Sequence, residues 1–159
     1  SSLETLTDFK TQGLIKSATV TQYTRDVIIN PGEIVGTDAG DLGHADGVEL
    51  AAAPGANYVL QFVNAVIIYE YGTAAYQGGA GDDLTIYQNS VAVSPSIATA
   101  DLITKGGSTI INLSALAATD YVLGLNSNLN LACTEVTNAG GATGVIRVKI
   151  TYNVIAHGL

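Results

Sequence analysis

A chain of 159 residues with 14 acidic and only 6 scattered basic side chains, a formal charge of −8, lacks the clustered Lys and Arg that tracking a phosphate backbone requires. Nucleic acid is excluded as a partner class on that ground, an intrachain disulfide by the single Cys133, and a membrane-spanning helix by the lack of an apolar run of roughly 18 residues. What remains is a soluble protein, expected to be made in a cytoplasm. Its 47% hydrophobic and 13% charged residues, with 18 Gly and 8 Tyr, suit one all-β domain large enough to need neither a metal nor a disulfide for stability.

Residues 1–12, SSLETLTDFKTQ, are polar, with Leu3, Leu6 and Phe9 recurring every third position. A segment this short cannot hold itself as a helix, so it reads as an N-terminal arm that docks on a neighbour, or as a frayed end. The single β domain then runs over residues 13–159. Its first pieces are two strands, the Thr-rich GLIKSATVTQYTR (13–25) at a sheet edge and DVIIN (26–30), stopped by Pro31-Gly32.

Residues 33–46 read as loop. There Asp38, Asp41, His44 and Asp46 crowd among glycines and form the best metal candidate in the chain, yet their spacing fits no calcium-loop register and a zinc site would want more His or Cys. A solvated acidic loop is the plainer reading. Cys133 likewise reads as a buried small hydrophobe.

The chain is organised around residues 58–71, an unbroken β-branched, aromatic and aliphatic run apolar on both faces. Pro54-Gly55 before it predicts that 48–53 fold back on it as an antiparallel partner, and the GGAGDD loop (78–83) after it leads to a third strand at 84–88, giving a β-meander. Within 91–103, Ser94-Pro95 predicts a short helix or turn with Ser94 as its N-cap. Further strands are expected at 108–113, 121–125 and 129–134. The last strand has the clearest period of two: Ile146, Val148, Ile150, Tyr152 and Val154 alternate with Arg147, Lys149, Thr151 and Asn153. A long closing strand beside a long central one predicts an antiparallel β-sandwich, jelly-roll-like, with at most one short helix.

No nucleophile elbow, Walker loop or metalloprotease helix occurs, and the glycine-rich GGAGDDL and NAGGATGV lack the fingerprint spacing or the following helix of a phosphate loop. Adjacent Asp82 and Asp83 do not make a glycosidase pair. No enzyme activity and no cofactor are expected. Tyr69, Tyr71 and Tyr76 fall together at the end of the central strand, and tyrosines are enriched at interfaces, so with Leu3, Leu6 and Phe9 they are the candidate contact residues.

The stretch LAAAPGANYVLQFVNAVIIYEYGTAAYQGGAGDDLTIYQ (50–88), with its YGTAAY run, and the final strand at 144–155 resemble small β-rich proteins of tailed-phage particles. The resemblance implies a capsid decoration or cement protein, a homotrimer on the outside of the head that binds the major capsid protein after synthesis in the bacterial cytoplasm. Two other readings are a tail- or fibre-associated module that binds a host glycan, and a coat subunit that itself builds a shell.

Overall fold

A computed structural model describes residues 20–117 and 125–157; the arm at 1–12 with Leu3, Leu6 and Phe9, the first part of the expected strand at 13–25, and most of the strand expected at 121–125 lie outside them. The described residues form eight strands: β1 (Val20–Ile29), β2 (Val48–Ala51), β3 (Tyr58–Glu70), β4 (Thr85–Gln88), β5 (Val91–Ala92), β6 (Thr109–Ser114), β7 (Leu129–Ala132) and β8 (Val145–Ala156). They form two antiparallel four-stranded sheets, ordered β1-β8-β3-β6 and β2-β7-β4-β5, packed face to face over one core.

This order has a simple origin. β1 pairs with β8, β2 with β7, β3 with β6 and β4 with β5, so the chain is one long hairpin folded at its middle. Rolling that hairpin up adds the pairings β3 with β8 and β4 with β7, which complete the two sheets. That is the jelly-roll arrangement. The expected sandwich is therefore found.

The expected meander is not. Neither β2 nor β4 pairs with β3; both belong to the opposite sheet. β3 is 13 residues long and needs partners able to meet its backbone groups along that length; 12-residue β8 does so on one side and 6-residue β6 on part of the other, whereas β2 has only 4 residues. The chain does turn at Pro54-Gly55, with Gly55 at φ 110°, but the turn carries it across the sandwich.

The two-faced look of β3 also has a cause. Along β3 the register with β8 slips between Phe62 and Asn64, leaving Val63 as an extra, bulged residue. Before the bulge Leu60 and Phe62 face the core; after it Ala65, Ile67 and Tyr69 do. Because side chains alternate with period two, one inserted residue exchanges the faces. The parity changes at Val63, and beyond it the outer face still carries Val66 and Ile68 opposite Lys149 and Arg147. β8 runs through without a slip, burying Ile146, Val148 and Ile150.

Two local predictions are corrected. The strands expected at 13–25 and 26–30 meet without a break, in β1. Among the described residues the one α-helix is α1 (Pro31–Val35), and the segment after Ser94 holds only a 3-10 turn at Thr99–Asp101, which Ser94 does not cap. Asn30-Pro31-Gly32-Glu33 carries its start signal: Pro at the first helical position, and Glu33 Oε2 accepting the Asn30 N–H at 2.7 Å. Ser94 Oγ instead accepts the Ile86 N–H at 3.0 Å and donates to Pro95 O, a buried link that leaves no hydroxyl for a cap.

The bulge predicts that one residue can be removed here without exchanging the faces. Deleting Val63 joins Phe62 to Asn64 and restores strict alternation against β8, so Leu60, Phe62, Ala65, Ile67 and Tyr69 all stay on the core side and a soluble, cooperatively unfolding chain is expected. Val63→Ala, which keeps the residue count, is expected to unfold cooperatively in urea with a loss of roughly 1 kcal/mol.

Candidate interaction surfaces

The tyrosines separate into two kinds. Tyr69 and Tyr76 are inside the core, 0% and 1% exposed, so intrachain packing already uses the surface that the sequence reading offered to a partner. Tyr76 Oη donates to Gly144 O at 2.6 Å, and its ring lies 6.2 Å from that of Tyr69. Gly144 is glycine for a steric reason, since a Cβ there would stand 2.6 Å from the Tyr69 ring. The YGTAAY run is bound to residues 141–144 by further bonds, Thr73 N–H to Thr143 Oγ1 at 3.1 Å and Thr73 Oγ1 to Gly141 O at 2.9 Å. Its distinctiveness in the sequence reflects this internal seam. Tyr71, 37% exposed and edge-on to Tyr69, is the one of the three that a partner can reach.

Burial raises the phenol pKa of Tyr69, and raises that of Tyr76 to about 12, because the ionised ring would sit in apolar surroundings; each neighbouring tyrosine adds to the rise. Burial likewise pushes the Cys133 thiol up to about 11. Its Sγ lies 3.4 Å from Asp82 O, and a thiol held protonated is a weak nucleophile.

The acidic loop uses its side chains on its own backbone. Asp41 Oδ2 accepts the Asp38 N–H at 3.0 Å, and His44 Nδ1 accepts the Asp46 N–H at 3.1 Å. Leu42, fully buried, fixes the loop to the core while its carbonyl accepts the Cys133 N–H. Among the described residues no three His, Cys, Asp or Glu side chains are grouped to hold a metal ion. Asp82 is also a turn residue, its Oδ2 accepting the Gly79 N–H at 2.5 Å. Asn138 does the same for the NAGGATG loop, clamping Ala142 through both its N–H and its carbonyl.

Two surfaces escaped the sequence reading. The first is a row across the outer face of the long sheet, Ile28, Arg147, Ile68 and Ile110, brought side by side by strand register. Ile110 is 62% exposed and Ile28 48%, and between them Arg147 Nε donates to Glu70 Oε1 at 2.6 Å. No sequence pattern could align these four, because the row exists only once four distant strands are in register.

The second is a polar basin of about 370 Å³, lined by Asp46, Tyr87, Asn89, Ser90, Asn126 and Asn128 among others. Among the described residues the non-glycine positions with positive φ are Asn89, Ser90 and Asn126, and all three stand here. Asn89 and Ser90 make the two-residue turn of the β4–β5 hairpin, which favours positive φ at both positions. Asn126 Oδ1 accepts the Gly55 N–H at 2.7 Å. Asn128 donates to Glu49, and Asn130, also in the lining, donates to Asn128, while Asn130 Oδ1 is buried with no partner.

With this geometry in hand, the comparisons add nothing further: no family model matches the sequence, and no curated protein or solved structure matches the chain.

The tyrosine seam predicts alkaline sensitivity. A phenol pKa raised in the fold above its ordinary value near 10 contributes stability that is whole below pH 10 and lost as pH rises towards 12, because the unfolded chain releases its proton first. Tyr76→Phe is expected to cost about 1–2 kcal/mol at neutral pH by stranding Gly144 O, and to flatten the fall in stability between pH 10 and 12. Guanidinium unfolding curves across that range check both.

Proposed function

We propose that this chain is a non-enzymatic structural protein of a tailed-phage particle, a decoration or cement protein that docks on the outside of the head and ties coat subunits together. The observation that supports it is the outer face of the long sheet, where Ile28, Ile68 and Ile110 form an apolar row with a paired Arg147 at its middle. Such a row, flanked on the same face by the Asp26–Lys149 ion pair and beyond it by Thr24 and Thr151, has the apolar centre and polar surround of a protein-binding patch. The occupant in this reading is the major capsid protein. Tyr71, one residue beyond β3, is exposed but packs edge-on to the core-facing Tyr69, so it stands apart from this row.

The fold is compatible with this role, and jelly rolls build capsid parts and lectins alike. The unit that docks is a homotrimer in this reading, with the head surface offering three-fold positions. A second reading, a glycan-binding module, is favoured by the basin alone: amides and hydroxyls there match the donor and acceptor groups of a sugar ring.

Co-sedimentation with empty heads that lack their decoration protein separates the two. Saturable binding is expected, weakened roughly tenfold or more by Ile110→Asp with the unfolding midpoint unchanged. No binding to heads, together with a glycan-array signal abolished by Asn89→Ala, would replace the first reading by the second.

A further inference from the structure

β1 stands at the edge of the long sheet, paired with β8 on one side and, among the described residues, with no strand on the other. It is 10 residues long, contains no Pro and runs without a register slip, so two of the devices that prevent an edge from pairing are missing, and its only charges are the adjacent, opposite Arg25 and Asp26. Seven of its residues in succession, from Val20 to Asp26, are exposed. Open backbone donors and acceptors on such an edge are a template for another strand.

We propose that β1 pairs with β1 of a second copy, antiparallel across a two-fold axis at Thr24. The inference is independent of the virion reading, because it rests on the strand alone. A two-fold axis perpendicular to the sheet keeps each face on its own side, so a residue can only oppose one of the same parity and the axis must pass through a residue. The choice among residues follows from charge. An axis at Arg25 sets the two Arg25 side chains against each other, and an axis at Asp26 does so for the carboxylates. An axis at Tyr23 puts Val20 opposite Asp26.

The axis at Thr24 avoids all three, leaving Thr21 opposite Val27 as its one mixed pair. Val20 opposes Ile28, two exposed apolar side chains at 49% and 48% that then cover each other. Gln22 opposes Asp26, an amide donor beside a carboxylate that already holds Lys149 Nζ at 3.2 Å. Thr24 meets its own copy, a favourable cross-strand pair. On the sandwich side, Tyr23 opposes Arg25, placing a guanidinium against a ring that stacks on Tyr152 at 5.8 Å. The faces are secured by contacts in the chain itself: Gln22, Thr24 and Asp26 bond to Asn153, Thr151 and Lys149 on the outer face, whereas Arg25 donates to Leu50 O across the sandwich.

A two-fold contact through β1 is separate from any three-fold one, and both can operate in one assembly. The solution mass of the full chain is therefore expected to be an even multiple of 16.3 kDa, two chains, or six if a three-fold contact forms as well. Position-specific cross-linking tests the register. Across the axis the two Thr24 Cα atoms come within about 6 Å, inside disulfide reach, while the two Gln22 Cα atoms are separated by about 13 Å. With oxidised glutathione added, Thr24→Cys is expected to convert to a covalent dimer and Gln22→Cys to stay at the background set by the unmodified chain and its buried Cys133. A mass of one or three chains overturns the proposal, and so does an even mass in which Thr24→Cys fails to cross-link or Gln22→Cys cross-links equally well.

Discussion

β3 and β8 run alongside each other from the Tyr58–Ala156 pair to the Glu70–Val145 pair, and the other strands of the long sheet are placed by that ladder. β8 has β1 on its far side and β3 has β6 on its own, so a slip between the central two would move both edges with them. The core has the same dependence. Ile146, Val148 and Ile150 on β8 lie opposite Tyr69, Ile67 and Ala65 on β3, and these side chains form the floor on which the short sheet rests Leu50, Leu131 and Ile86. Sequence separation makes the ladder costly to close, since β3 and β8 meet only after the chain between them has been ordered. The seam of Tyr76, Thr73 and residues 141–144 lies at the ladder's Glu70 end, where it ties the segment leaving β3 to the segment entering β8.

That constraint also explains which parts of the fold were legible. β8 was read correctly because nothing interrupts its period of two. β3 is legible as the principal strand and as apolar on both faces, but the exchange of faces at Val63 is not, because a bulge is a property of a pair of strands and Val63 looks no different in sequence from its neighbours. The meander failed for a related reason. Adjacent strands in sequence pair more often than not, and a Pro-Gly turn between apolar runs looks like a hairpin. What the turn could not reveal is that a four-residue strand leaves most of a thirteen-residue strand unpaired. The short helix was legible in Asn30-Pro31-Gly32-Glu33 and was passed over because its five residues carry no helical period.

The candidate contact residues divide along the same line. Tyr69 and Tyr76 were correctly grouped as neighbours, but grouping does not say whether a cluster faces inward. Gly144 held that information: a glycine next to the start of the cleanest strand in the chain marks a place where another group comes close, and here that group is the Tyr69 ring. The apolar row at Ile28, Ile68 and Ile110 carried no such marker. Its members lie on three strands far apart in sequence, and each taken singly is an ordinary exposed isoleucine or half-buried one.

The unequal lengths of the two sheets then determine where the molecule can make contacts. β1, β3 and β8 span 10, 13 and 12 residues, while no strand of the short sheet exceeds 4. The short sheet covers the half of the long one that carries Ile29, Ile146 and Tyr69, and beyond it Tyr23 and Tyr152 stack on each other with less protein above them. A sandwich with matched sheets would bury β1 along its length; this one leaves it open along most of the strand. Rigidity and an open edge thus have a single source. The long ladder holds β1 straight and in register, so that its side chains present a fixed pattern to whatever pairs with it, and a flexible edge of the same composition would pay a large entropic penalty for the same contact.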